Sequence, residues 1–241
     1  MGVLLFGALA SLRAAPLLPV RQTDQGAVSA GPAGRSVVVD GTPLVLAGNQ
    51  VWIKRRTDGW REKAWPHEGR LAAVLGDGRQ AFALFADGPS DPAQRIQQLM
   101  LADGQLVSRP LPPLPVPLHA ILGSVKETKV FVHGRDAAGV PHLFTLALNE
   151  STPVWRAYAG CPAAAGTIEA LVAQQDSLFA VVTPPDGGGQ RLHRWSAGQA
   201  WTEASRLPAQ LVPGAARAVG QAHMLFVVRE RESQRIVTYY T

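Results

Sequence analysis

The chain has 241 residues, 46% of them hydrophobic and 17% charged, which is enough apolar material for a buried core and too little charge for a disordered chain. Its formal net charge of +5 comes from 19 Arg and 4 Lys set against 18 acids. The basic clusters at 54–56 and 229–235, the second interleaved with Glu230 and Glu232, read as solvated faces and not as a phosphate track, so nucleic acid is not an expected partner.

The chain opens on MGVLLFGALASLRAAPLLPV. The apolar run from Val3 to Leu12 has the length of a signal-peptide core but lacks the positive residues that precede one, and it is too short to span a membrane as a helix. The preferred reading is a β-strand, because Leu9 to Pro16 repeats the spacing of Leu106 to Pro113 further on.

That spacing belongs to a longer period. Trp60, Leu106, Trp155 and Trp201 each follow a small polar turn, at intervals of 46, 49 and 46 residues, and Leu9 precedes Trp60 by 51. A proline follows at a matching distance: Pro66, Pro113, Pro162 and Pro208. A second landmark, a small residue six positions before a hydrophobic strand, recurs at Gly31, Gly76, Ala173 and Gly220. At Gly123 the step is eight residues, read as a hairpin lengthened by VKETK. A period of 46–49 suits a four-stranded propeller blade.

Within one unit, LHAILGSV, KVFVHGR, HLFTLALN and PVWRAYAG read as four strands, and GTIEALVA, SLFAVVT, RLHRWSAG and AWTEASRLP repeat them. The one helix-like stretch, 92–102, falls where a third strand belongs. The last unit supplies three strands. The expectation is an all-β chain forming a single β-propeller domain over 1–241, of five blades. Its units are 1–20 (closing strand), 21–66, 67–115, 116–162, 163–208 and 209–241, with the N-terminal strand completing the last blade and removing its open edge.

The stretch KVFVHGRDAAGVPHLFTLALNESTPVWRAYAGCP resembles a kelch unit: a hydrophobic second strand, a glycine turn, an apolar third strand, then Trp in the fourth. It carries Gly134-Arg135 where kelch units usually have a double glycine. The resemblance implies a propeller. It also brings in the kelch-like sialic acid epimerases and mutarotases, which are often exported; a retained N-terminal strand would instead mean a cytoplasmic protein.

In a propeller the first strand of each blade lines the centre, so equivalent positions converge. Four residues before the small landmark the units carry Ala27, Ala72, His119, Glu169 and Ala216; one residue later they carry Val28, Ala73, Ala120, Ala170 and Arg217. Among these small residues His119 and Glu169 form a candidate acid/base or hydroxyl-binding pair, with Arg217 as a third ligand-binding candidate. The plainer reading is that the pair satisfies itself or the backbone between blades.

His133 and Arg135 end a second strand and are expected to be exposed. His67, His142, His193 and His223 stand alone in the sequence, without the spacing of a metal site, and no cofactor is expected. The single cysteine, Cys161, excludes an intramolecular disulfide and a cysteine-only metal cluster, and reads as a small buried residue at a strand end. PDGGGQ at 185–190 is a hairpin tip without the helix and lysine of a phosphate loop. Trp60, Trp155 and Trp201 read as packing anchors, with Trp52, Trp65 and Trp195 less constrained.

No Ser-His-Asp set or pair of glycosidase carboxylates is legible. The leading expectation is therefore a non-catalytic propeller that binds a partner protein or a small sugar-like ligand, as an accessory subunit or a domain of a larger assembly. The alternative is a carbohydrate-acting enzyme of the kelch-like kind.

Overall fold

The computed structural model describes residues 35–55, 59–88, 90–158, 166–174, 177–196, 200–207, 209–219, 223–229 and 236–240. Every regular element in them is a strand. The first sheet holds β1 (Arg35–Val39), β2 (Thr42–Ala47), β3 (Gln50–Arg55) and β4 (Gly59–Ala64) in sequence order; the second holds β5 (Arg70–Gly76), β6 (Ala81–Ala86), β7 (Ala93–Ala102) and β8 (Gln105–Pro110). The third holds β9 (His119–Lys126), β10 (Lys129–Arg135), β11 (Pro141–Ala147) and β12 (Trp155–Ala157). The fourth holds β13 (Thr167–Gln174), β14 (Ser177–Thr183), β15 (Arg191–Ser196) and β16 (Thr202–Arg206). The fifth holds β17 (Gln210–Val219), β18 (His223–Arg229) and β19 (Ile236–Tyr240). All pairings are antiparallel.

The first strand of each sheet packs against the first strand of the next: β1 on β5, β5 on β9, β9 on β13 and β13 on β17. The alternation of apolar residues explains this. In the first sheet Val37, Val39, Leu44, Leu46, Val51 and Ile53 share one buried face, which meets Ala81, Ala83, Phe85 and Leu99 of the second sheet. The middle strand β6 is AFALFA, buried along its whole length, because it has a neighbouring sheet on both sides. Each large side chain buried in these layers contributes on the order of 2 kcal/mol.

The outermost strands are different in kind. β16, TEASR, is exposed throughout, and the edge strands β4 and β8 carry charged residues, which discourages further strands from adding there. The fourth-strand anchors fall as expected for Trp60 in β4, Leu106 in β8 and Trp155 in β12, with Trp201 one residue before β16. Trp155 is buried and its Nε1 donates to the Pro112 carbonyl at 2.8 Å. The most deeply buried tryptophan is instead Trp65, 2% exposed, in van der Waals contact with His67 and Phe85. Trp60 remains partly exposed beneath Lys54.

The structure corrects two register readings. In the first unit Val37 lies on the innermost strand, β1, and turns through Asp40 and Gly41, both at positive φ, into β2. The inner-strand positions read there, Ala27 and Val28, lie outside the described residues. In the third sheet the hairpin is not lengthened: Glu127 and Thr128 alone join β9 to β10. Gly123 is therefore no hairpin landmark. A Cβ there would sit 2.6 Å from Leu75 Cδ1 and 2.6 Å from the Phe131 carbonyl, so its smallness serves the close approach of β5 to β9. The expected pairing of residues near 7–14 with β19, and with it the closing of the ring, lies outside the described residues, as does Cys161.

Candidate functional site

Because each sheet runs antiparallel from its inner to its outer strand, the loops joining second to third strands and the connections from one sheet to the next emerge on the same face. That face carries the β6–β7 loop (87–88 and 90–92), the β10–β11 loop (136–140) and the β14–β15 loop (184–190), together with the intersheet connections 65–69 and 111–118. His119 opens β9 and Glu169 lies near the start of β13, so both stand at this rim.

The inner strands are bulged close to the rim. Ala72 is the extra residue of β5, Ala120 and Ile121 stand opposite one residue of β10, Glu169 is the extra residue of β13, and 212–215 interrupt β17. A bulge adds a residue and re-aims the side chains beside it. It also shifts the register: counted back from the hairpins, Glu169 is level with Ile121, while His119 is level with Thr167. His119 pairs with Arg135 and is exposed; Glu169 is half-buried. No hydrogen bond or ion pair among the described residues joins the two. Arg217 pairs in backbone register with Leu225 on the hairpin side of the β17 bulge, so the three candidates occupy three different heights.

Glu169 has a partner that the sequence reading missed. Thr183 Oγ1 donates to its Oε1 at 3.0 Å, Gln190 Nε2 donates to Thr183 Oγ1 at 3.1 Å, and the Leu211 N–H donates to Gln190 Oε1 at 2.6 Å. The Gln190 carbonyl also accepts from Leu207 N at 2.9 Å. Gln190 is 8% exposed, so this chain crosses from the fourth sheet to the first strand of the fifth through a shielded interior. Gly166, at φ 141, enters β13 where any Cβ would run into the Thr183 carbonyl, which is why the approach to this chain is a glycine.

The third sheet carries a second polar arrangement. His133, expected to be exposed, is 4% exposed, and its Nδ1 donates to the His142 carbonyl at 2.8 Å. Burial pushes its pKa down to about 4, with Arg135 and His142 adding repulsion against the hydrogen bond's opposite pull. His142 is not alone either. Its Nε2 lies 2.9 Å from Asp136 Oδ2, its ring stacks on Phe144, and Asp136 Oδ1 accepts from Ala138 N and Val140 N. The His142 hydrogen bond, aided by the Val140 and Ala138 amides, holds the Asp136 carboxyl below its ordinary value. These contacts fasten the β10–β11 loop.

A shallow concavity of about 270 Å³ lies on the same face between the β6–β7 loop and the 111–118 connection. Phe85 floors it, Pro92 and Pro117 flank it, and Asp87, Asp91, Gln94 and Arg95 supply its polar rim. Arg95 Nη2 donates to Asp87 Oδ1 at 2.9 Å and to the Glu68 carbonyl at 3.1 Å. The volume falls just under that of ordinary small-ligand pockets, roughly 300 Å³ and upward. Among the described residues no three His, Cys, Asp or Glu side chains gather as a metal site, and no helix is long and apolar enough to cross a membrane.

Sheets of four antiparallel strands, stacked through their first strands with loops collected on one face, define an all-β β-propeller. Comparison with solved structures agrees: the structure of YjhT matches with a TM-score of 0.53 over 87% of this chain and 80% of its own, at 13% identity. At that identity the likeness is one of fold. No family model matches the chain, and no curated protein matches it.

Proposed function

We propose that this propeller is a binding module that takes a partner protein or a small ligand on the face carrying the β6–β7, β10–β11 and β14–β15 loops, without catalysing a reaction. The observation that carries this reading is the engagement of Glu169 by Thr183 instead of by His119. A carboxylate bonded to the imidazole would raise its proton affinity and make one coupled base; here the carboxylate bonds Thr183, and the strands place His119 and Glu169 at different heights. The concavity beside Arg95 adds a second recognition surface on the same face.

The alternative is a carbohydrate-acting enzyme in which His119 and Glu169 serve as acid and base and Arg217 binds a substrate carboxylate. Its support is that His119 and Glu169 both stand at the loop rim. The two readings separate in an anomer-exchange experiment by NMR on sialic acid, a substrate class implied by the kelch-like resemblance. A binding module leaves the interconversion rate at its uncatalysed value. An acceleration that His119→Ala abolishes refutes the non-catalytic reading.

A further inference from the structure

We infer that Thr183 and Gln190 are positioning residues that present the Glu169 carboxylate as a hydrogen-bond acceptor to a hydroxyl-bearing ligand at the β13 bulge. The inference rests on the binding reading above and gives it a ligand chemistry.

The direction of the chain follows from its far end. A backbone N–H can only donate, so the Leu211 amide fixes Gln190 Oε1 as the acceptor and turns the amide nitrogen toward Thr183. That nitrogen can only donate, so it occupies a lone pair of Thr183 Oγ1. The single hydroxyl hydrogen of Thr183 is left to point at Glu169 Oε1. Every donor therefore runs one way, toward the carboxylate, and the burial of Gln190 protects the order from exchange with water.

The other carboxylate oxygen, Oε2, has no hydrogen-bond partner among the described residues, and Glu169 is half-buried at a bulge that tilts it away from the regular ladder. A carboxylate oxygen is a hydrogen-bond acceptor. A ligand suited to it donates. Thr183 already shows a neutral hydroxyl donating to this carboxylate at 3.0 Å, and a ligand hydroxyl would meet Oε2 in the same way.

The test uses the full chain and its Glu169→Gln, Thr183→Val and Thr183→Ser variants. Binding of glucose, galactose, mannose and N-acetylglucosamine is measured by calorimetry or saturation-transfer NMR, with ethanolamine as the amine comparison and a melting curve for each variant. The expected result is that at least one neutral sugar binds and that Glu169→Gln weakens it about tenfold or more. Thr183→Val weakens it several-fold, and Thr183→Ser restores it, because only the hydroxyl is needed. Bound sugar with affinity unchanged in Glu169→Gln and Thr183→Val overturns the positioning chain while leaving the binding face intact. Equal weakening in Thr183→Val and Thr183→Ser, tracking a loss of melting temperature, reduces Thr183 to a structural residue and overturns it too. Binding of ethanolamine alone, or of nothing in the panel, overturns the ligand chemistry.

Discussion

Two polar regions on the same face are built on opposite terms. The Glu169 chain runs through Thr183 and the buried Gln190 to a backbone amide of the next sheet, and each of its three hydrogen bonds has a fixed donor. The Arg95 cluster joins a guanidinium to Asp87 and to the Glu68 carbonyl at the surface, where the Asp87 and Glu68 side chains are 83% and 94% exposed. Water and salt compete for those exposed carboxylates, so the cluster shapes the rim of the concavity without holding the fold. The contrast is between a polar group that has lost access to water and must be satisfied internally, and one that has not.

Changes in pH and single substitutions can break or sharpen this contrast. The largest expected effect belongs to the buried His133. Its folded pKa of about 4 lies below the ordinary 6.5, so the unfolded chain takes up the proton first as pH falls. Its contribution is present above pH 6.5 and lost progressively between about 6.5 and 4, amounting to about 3 kcal/mol over that range. Urea unfolding at several pH values measures it, and His133→Phe should flatten this part of the profile.

Next in size is Gln190→Leu, which leaves the Leu211 amide and the Thr183 hydroxyl without their partner at a cost of about 1–3 kcal/mol in the same assay. Smallest is Arg95→Ala, expected to cost about 1 kcal/mol or less, with the difference from wild type shrinking further in high salt. If Gln190→Leu and Arg95→Ala prove equally mild, the distinction between the two regions collapses.

Much of the fold was legible because local signals and the repeat agreed. The strands read at 129–135 and 177–183 coincide with β10 and β14, and the stretch at 92–102 that looked helical is β7, since the repeat requires a third strand there. The register of the inner strands was not legible. A bulge inserts a residue without any compositional mark, and Gly123 reads as one of the landmark residues before a second strand, whereas its smallness answers to Leu75 on the neighbouring sheet.

The surroundings of the candidate residues were not legible. Glu169 and His119 were equated in height, and Thr183 and Gln190 were passed over because they flank a glycine-rich tip that reads as a plain hairpin. Their partners lie 14, 7 and 21 residues apart in the chain and meet only once β17 is docked. Asp136 and His142 were missed for the same reason: the 136–140 loop brings β11 back beside β10 and sets the two side chains together.

The most direct test of the binding face is an amide chemical-shift map of the full chain titrated with the neutral-sugar panel. The account predicts that the perturbed amides gather on one face, at Thr183, Gln190 and Leu211 and in the 136–140 and 87–92 loops. Perturbations confined to the opposite face, around the hairpins at Asp77–Gln80 and Glu127–Thr128, or none at all, would contradict it.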